Sequence, residues 1–211
     1  IITTVYMVLV AILVATPIGI LASVYLQEYA KQGKVVRVIR FATECLAGIP
    51  SIVYGLFGGI FFVVALKLQY SILSGGLTVA IIILPTIIRS TEEALKTVPS
   101  TYREASLGLG ATKFQTLYKV ILPSAIPGIL SGVILSIGRV IGESAAILLT
   151  AGTVAKMPLT VFDSARTLTV HAYLLTKETG DIQTACGVGI VLIVIVFGLN
   201  TIAKLVAKKL N

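Results

Sequence analysis

"AIPGILSGVILSIGRVIGESAAILLTAG", residues 125–152, is apolar almost throughout, yet it holds one arginine, Arg139, and one glutamate, Glu143. The run shows no strict alternation of polar and apolar residues, so it is no barrel strand. In lipid its backbone groups must bond within the segment, which makes it a helix. The two charges stand four residues apart, a spacing that sets side chains on one helix face and lets them pair. A charge at the bilayer centre costs about 2.5–3.5 kcal/mol on insertion scales, so such groups face a bundle interior or a wet path.

The whole chain has the same character. Its 211 residues are 56% hydrophobic and only 12% charged, with a mean hydropathy of +1.01; a soluble domain carries about 25% charged residues. Apolar runs at residues 1–26, 46–66, 72–88, 120–149 and 182–203 are each long enough, or nearly so, to cross a hydrocarbon core about 30 Å thick. The fold class expected is all-α: a polytopic bundle of about five membrane helices in a single domain, residues 1–211.

The net charge of +8 reads as topology, not nucleic-acid binding. With the carboxyl end in the cytoplasm, five crossings put Lys31, Lys34, Arg37, Arg40, Lys96, Arg103, Lys113, Lys119, Lys204, Lys208 and Lys209 inside. Lys67, Lys156, Arg166 and Lys177 fall outside, and Arg89 and Arg139 stay in or at the edge of the membrane. That asymmetry follows the positive-inside rule. The same topology starts Ile1 outside, in an apolar run without an initiator Met, so a further upstream membrane helix is expected.

Cys45 and Cys186 read as small buried side chains; no C-x-x-C or Cys/His cluster suggests a metal. His171, the one histidine, receives no role. Residues 27–44 place Lys31, Lys34, Arg37 and Arg40 among valines and isoleucine, a pattern for an interfacial helix. Gly55 and Gly59 give a G-x-x-x-G spacing for close helix approach. Residues 150–181 form a long outer loop, with an interfacial helix expected after Pro158.

"TEEALKTVPSTYREASLGLGATKFQTLYKVILPSAIPG", residues 91–128, contains two short helices joined at a bend. Tyr102, Ala105 and Leu109 recur at helical spacing before Gly110, which supplies a left-handed stop. Thr112 and Gln115 make a capping-box pattern for the next helix, with Phe114, Leu117 and Ile121 on its apolar side up to Pro123. "GLGATK", residues 108–113, lacks the phosphate-loop spacing and follows no strand, so the chain is read as no nucleotide hydrolase.

This stretch resembles the signature cytoplasmic loop of bacterial binding-protein-dependent ABC importer permeases. Glu104, Ala105 and Ser106 stand for that family's Glu-Ala-Ala triplet, Gly110 for its Gly, and Val120, Leu122 and Pro123 for its Ile-x-Leu-Pro ending. Ser for Ala and Val for Ile are mild departures. The resemblance implies that residues 90–123 form a coupling loop that inserts into a separate ATPase subunit. Glu104, Ala105, Gly110, Leu122 and Pro123 would then carry the contact, with ATP and Mg on the ATPase and no cofactor in this chain.

Together "LPTIIRSTEEALKTVPSTYREASLGLGAT", the run around Arg139 and the outer "MPLTVF" are similar to the PstA-type permeases of bacterial phosphate importers. In that family the arginines at the positions of Arg89 and Arg139 are associated with phosphate passage, with the acidic residue at Glu143 beside them. From the residues alone, Arg139 offers a planar fork to a tetrahedral oxyanion and Glu143 balances it when the path is empty. Arg89 is equally readable as an anchor at the inner helix end. Six membrane helices are usual in the family. The implied partners are a second, homologous permease, two ATPase subunits, an extracytoplasmic phosphate-binding protein, phosphate and membrane lipid, with no nucleic acid, in a bacterial or archaeal cytoplasmic membrane. Other readings are a permease for sulfate or molybdate, or a passive anion pore or scaffold. No catalytic triad, metal spacing or cofactor fingerprint points to an enzyme.

Overall fold

The computed structural model describes residues 1–31 and 33–210, and the side chains of these except 203, 204 and 206–210. Lys204, Lys208 and Lys209 of the expected cytoplasmic tail therefore lie outside the described side chains. Among the described residues there is no strand. Four helices are long and apolar enough to cross a membrane: Ile2–Tyr29, Ile72–Thr97, Lys113–Gly142 and Ile182–Ile202. A bent pair, Lys34–Gly48 and Ser51–Ala65, makes a fifth candidate, broken by 99°.

Helix α1 (Ile2–Val24) ends in a wider turn, Tyr25–Tyr29. Helix α2 (Lys34–Gly48) is amphipathic and buries only Val36. The expected crossing at 46–66 is not one helix. Ile49 is extended, at φ −72° and ψ 133°, because the ring of Pro50 disfavours helical backbone in the residue before it. Helix α3 (Ser51–Gly58) then runs through a wider turn, Gly59–Ala65.

Helix α4 (Ile72–Thr97) passes through Pro85 without a break. It is the centre of the bundle. Ile72, Val79, Ile83 and Ile87 are buried against Met7, Ala11 and Ala15 of α1. The inner end has its own cluster of Val24, Leu95, Val98, Leu117 and Ile121. After α5 (Ser100–Gly108), α6 (Lys113–Thr116) leads through a wider turn, Leu117–Ile121, into α7 (Leu122–Gly142). That turn lies just before Pro123, where the ring excludes an ordinary i→i−4 bond to residue 119. A Cβ on Gly128 would stand 2.6 Å from the Cβ of Ala94, and one on Gly132 would overlap Ser90, so α7 meets α4 along a glycine seam.

The expected crossing at 120–149 ends early. Helix α7 stops at Gly142, Glu143 and Ser144 leave the helix, and α8 (Ala145–Leu148) is a separate turn. The G-x-x-x-G of α3 packs on that turn: a Cβ on Gly55 would lie 2.8 Å from Ala146 Cα, and one on Gly59 3.2 Å from the Leu149 carbonyl.

The outer loop is folded into the bundle. Ser71, Ile72 and Leu73 donate backbone bonds to Thr150, Asp163 and Val161. Helix α9 (Leu168–Leu174) continues in a wider turn, Leu175–Thr179, and buries Val170 in the main core. It starts ten residues after Pro158 and is a core element, not the interfacial helix expected. Asp163 pins the preceding turn by accepting from Thr160 N at 2.8 Å and Leu159 N at 2.7 Å, and these bonds hold its carboxyl below the ordinary carboxylate value. Helix α10 (Ile182–Leu210) closes the chain. Its Ile190, Ile193, Val194 and Phe197 face outward, as lipid-facing residues do. Cys45 and Cys186, expected buried, are exposed on α2 and α10.

Candidate substrate path

Arg139 and Glu143 do not form the pair that their spacing predicts. Arg139 occupies the last turn of α7, and Glu143 caps that helix with extended backbone, at φ −75° and ψ 130°. The break turns the two side chains apart. Glu143 Oε1 accepts from Ser144 N at 3.1 Å and Ala146 N at 3.3 Å, so its charge satisfies free donors at the start of α8. The Glu143 carbonyl also accepts from Thr169 Oγ1 at 2.8 Å, which ties α9 to the break. The ion pairs among the described residues do not include Arg139 with Glu143.

Arg139 turns toward α4 instead. Its Nη1 donates to Thr86 Oγ1 at 3.4 Å. Thr86 stands one turn before Arg89, and both line a cavity of about 440 Å³ between α2, α4 and α7. Thus Arg89 is a wall residue of this cavity and Arg139 reaches it through Thr86. Gly138 and Gly142 line an apolar cavity toward Leu192 and Val196 of α10.

Sequence reasoning missed the charges that share the inner cavity with Arg89. Arg40 and Lys96 pair with Glu92 at 3.3 and 3.9 Å, and Arg89 Nη2 pairs with Glu44 at 3.4 Å. The pairs on Glu92 and the pair on Glu44 differ in burial. Glu92 is 8% exposed, whereas Arg89 and Glu44 are 62% and 58% exposed. A solvated pair contributes about 0–1 kcal/mol, so Arg89 is readily released to a competing anion. One signal was available in the sequence: Glu92 and Glu93 are adjacent acids at an otherwise basic inner helix end. Lys96 is a local partner of Glu92, four residues on, but Arg40 comes from α2, 52 residues away, and no local pattern names it.

At the inner end, Gly110 has φ +84°, the left-handed stop expected. Thr112 and Gln115 form the capping box, with Gln115 N to Thr112 Oγ1 at 3.2 Å and Thr112 N to Gln115 Oε1 at 2.9 Å. Glu104, Ala105 and Gly110 are exposed, as is Pro123, while Leu122 is half-buried beside the inner cluster. Of residues 90–123, those up to Thr97 belong to α4, and those from Lys113 belong to α6, the turn after it and the start of α7. The apolar spacing also resolves unexpectedly. Leu117 and Ile121 are buried, but Tyr102, Leu109 and Phe114 stay exposed, Leu109 at 90%. Clustered exposed apolar side chains mark an interaction surface. Among the described residues no group of His, Cys, Asp and Glu could hold a metal.

Residues 3–211 match the family of binding-protein-dependent transport system inner membrane components. The chain belongs to this family. It is a multi-pass membrane permease component. It is 39% identical over 186 residues to the probable ABC transporter permease protein YqgI of Bacillus subtilis, covering 82% of this chain and 63% of that protein. It is 39% identical over 194 residues to the phosphate transport system permease protein PstA of Mycobacterium leprae, covering 90% and 64%. The chain thus spans just under two thirds of the length of these relatives. The fold is that of the MetNI methionine ABC transporter in its inward-facing conformations, with a TM-score of 0.81 at 20% identity over 99% of this chain and 93% of that one. A bacterial alginate ABC transporter, solved with its alginate-bound periplasmic protein, superimposes at TM-score 0.72 and 14% identity over 95% and 74%.

Proposed function

We propose that this permease passes inorganic phosphate across the cytoplasmic membrane by alternating access, as one subunit of an ATP-driven importer. The observation that carries the reading is that Arg139 bonds Thr86, one turn before Arg89, and that Thr86 and Arg89 both line the cavity between α2, α4 and α7. A guanidinium fork matches the oxygen geometry of a tetrahedral oxyanion, and its permanent charge suits a mostly divalent one. Arg89, paired with the solvated Glu44, is the inner station; competition from that carboxylate keeps affinity low enough for release. Glu143 contributes by holding the helix break that aims Arg139 at α4. Likeness to PstA permeases favours phosphate over sulfate or molybdate.

Two arginines do not neutralise the anion and its path alone, so a second, homologous permease subunit supplies further cations. Two ATPase subunits hold ATP and Mg and engage the exposed face of Glu104, Ala105, Leu109 and Gly110. A phosphate-binding protein docks on the side of residues 150–181, and the carboxyl terminus is cytoplasmic. The test is labelled-phosphate uptake by the full complex, comparing wild type with Arg139→Gln and adding unlabelled sulfate as competitor. Uptake that resists sulfate and disappears in the variant, at unchanged subunit levels, is the expected result. Normal uptake by Arg139→Gln would overturn the assignment of the path, and competition by sulfate would overturn the substrate.

A further inference from the structure

Arg103 precedes the signature Glu104 and, unlike that exposed residue, reaches toward the inner ends of α1 and α4. Its Nη2 donates to Glu28 Oε1 at 2.8 Å and to the Leu95 carbonyl at 3.2 Å, while Nη1 donates to the Val98 carbonyl at 3.1 Å. Glu28 belongs to the wider turn that ends α1. Leu95 lies in the last turn of α4, and Val98 is its C-cap. One guanidinium therefore ties α5 to the inner ends of two membrane helices.

The tie is partly shielded from water, with the Arg103 side chain 25% exposed and that of Glu28 17%. Helix α5 buries no residue of its own, so polar ties such as this one help to hold it. A second bond, Ser106 Oγ to Thr116 Oγ1 at 2.9 Å, fastens α5 to α6. Residues Leu95 and Val98 would otherwise leave free carbonyls at a helix end. An arginine suits the position because its rigid fork can meet a carboxylate and two carbonyls at once; a lysine ammonium presents a single nitrogen.

We infer that Arg103 is a positioning residue for transport, through which displacement of α5 is delivered to α1 and α4 together. Helix α4 carries Thr86 and Arg89, so a shift of its inner end reaches the charge-lined cavity directly. This rests on the reading that an ATPase subunit grips the loop. Loss of Arg103 lets α5 move with the ATPase while α4 stays behind. ATP is then hydrolysed without transport.

The experiment uses the full complex in proteoliposomes with its ATPase subunits and binding protein. It measures ATP hydrolysed per labelled phosphate moved. Arg103→Gln is expected to assemble, keep basal ATP hydrolysis, and raise that ratio on the order of tenfold. Glu28→Gln raises it less, Arg103→Lys recovers part of it, and the Glu28→Gln/Arg103→Gln double variant is no worse than Arg103→Gln. A ratio within about twofold of wild type in Arg103→Gln, or loss of the ATPase subunits from the complex, would overturn the inference.

A second readout does not depend on the substrate. Spin labels on Thr101→Cys and Tyr25→Cys, both exposed, with Cys45 and Cys186 replaced by serine, report the distance from α5 to the end of α1. On ATP binding that distance should stay constant in the otherwise native complex and change in Arg103→Gln. Equal behaviour in both would refute the tie even if the substrate proves not to be phosphate. A native complex that binds no ATPase would overturn the coupling reading and this inference alike.

Discussion

Helices α4 and α7 carry the same kinds of signal in sequence and treat them differently. Each contains an internal proline, Pro85 or Pro127, and each bears an arginine far along an apolar run. Helix α4 continues past its proline to Thr97, and Arg89 stands on an unbroken surface with Thr86 one turn before it. Helix α7 also passes its proline, but stops at Gly142 where no proline stands. There Glu143 finds better partners in the backbone donors of Ser144 and Ala146 than in Arg139. The lesson concerns charge in lipid. A half-buried carboxylate can satisfy itself by capping a helix break, without entering the buried ion pair whose attraction must offset desolvation. The arginine is then left free to face the path.

That contrast can be broken most forcefully at Arg139. Exchanging the charges, as Arg139→Glu with Glu143→Arg, should abolish phosphate uptake as fully as Arg139→Gln does. Recovery of uptake in the double exchange would mean that the two residues act as a pair. Next in size is the α4–α7 seam. Gly132→Ala pushes a methyl into Ser90 and should lower stability by about 1–3 kcal/mol, read as a fall in the melting temperature of the detergent-solubilised complex. Adding Ser90→Gly should return most of it; no recovery would place the strain elsewhere.

Glu143→Ala removes the cap at the break and should cost about 1–2 kcal/mol, with faster hydrogen exchange at Ser144 and Ala146. If exchange there is unchanged, the carboxylate does not hold the break. The smallest effect belongs to Glu44→Gln. The pair with Arg89 is solvated, so the melting temperature should not move, while phosphate release slows and uptake falls by no more than about fivefold, the equivalent of ~1 kcal/mol. A large loss of stability would mean that Glu44 is structural.

Much of the site was legible locally. The left-handed stop at Gly110 and the capping box at Thr112 and Gln115 depend on residues within one turn of each other, so sequence spacing names them. The close approach at Gly55 and Gly59 was legible as a capacity, though its partner, the short α8, was not. The apolar spacings of Tyr102 and Leu109 before Gly110 and of Phe114 after it were visible too, yet periodicity reports that a face is apolar and not what covers it. Helical spacing misled at Glu143, because it presumes that the helix continues.

From the sequence by itself came the membrane class, the apolar helical segments and the inner loop, since apolar length, charge segregation and turn chemistry are local properties of the chain. The tertiary structure decided which charges meet. Arg40 with Glu92, Arg103 with Glu28 and Arg139 with Thr86 join residues separated by 52, 75 and 53 positions. Such pairings are set by how helices pack, and glycine seams and the break at Glu143 determine that packing. No one-dimensional pattern encodes the side-chain directions that result.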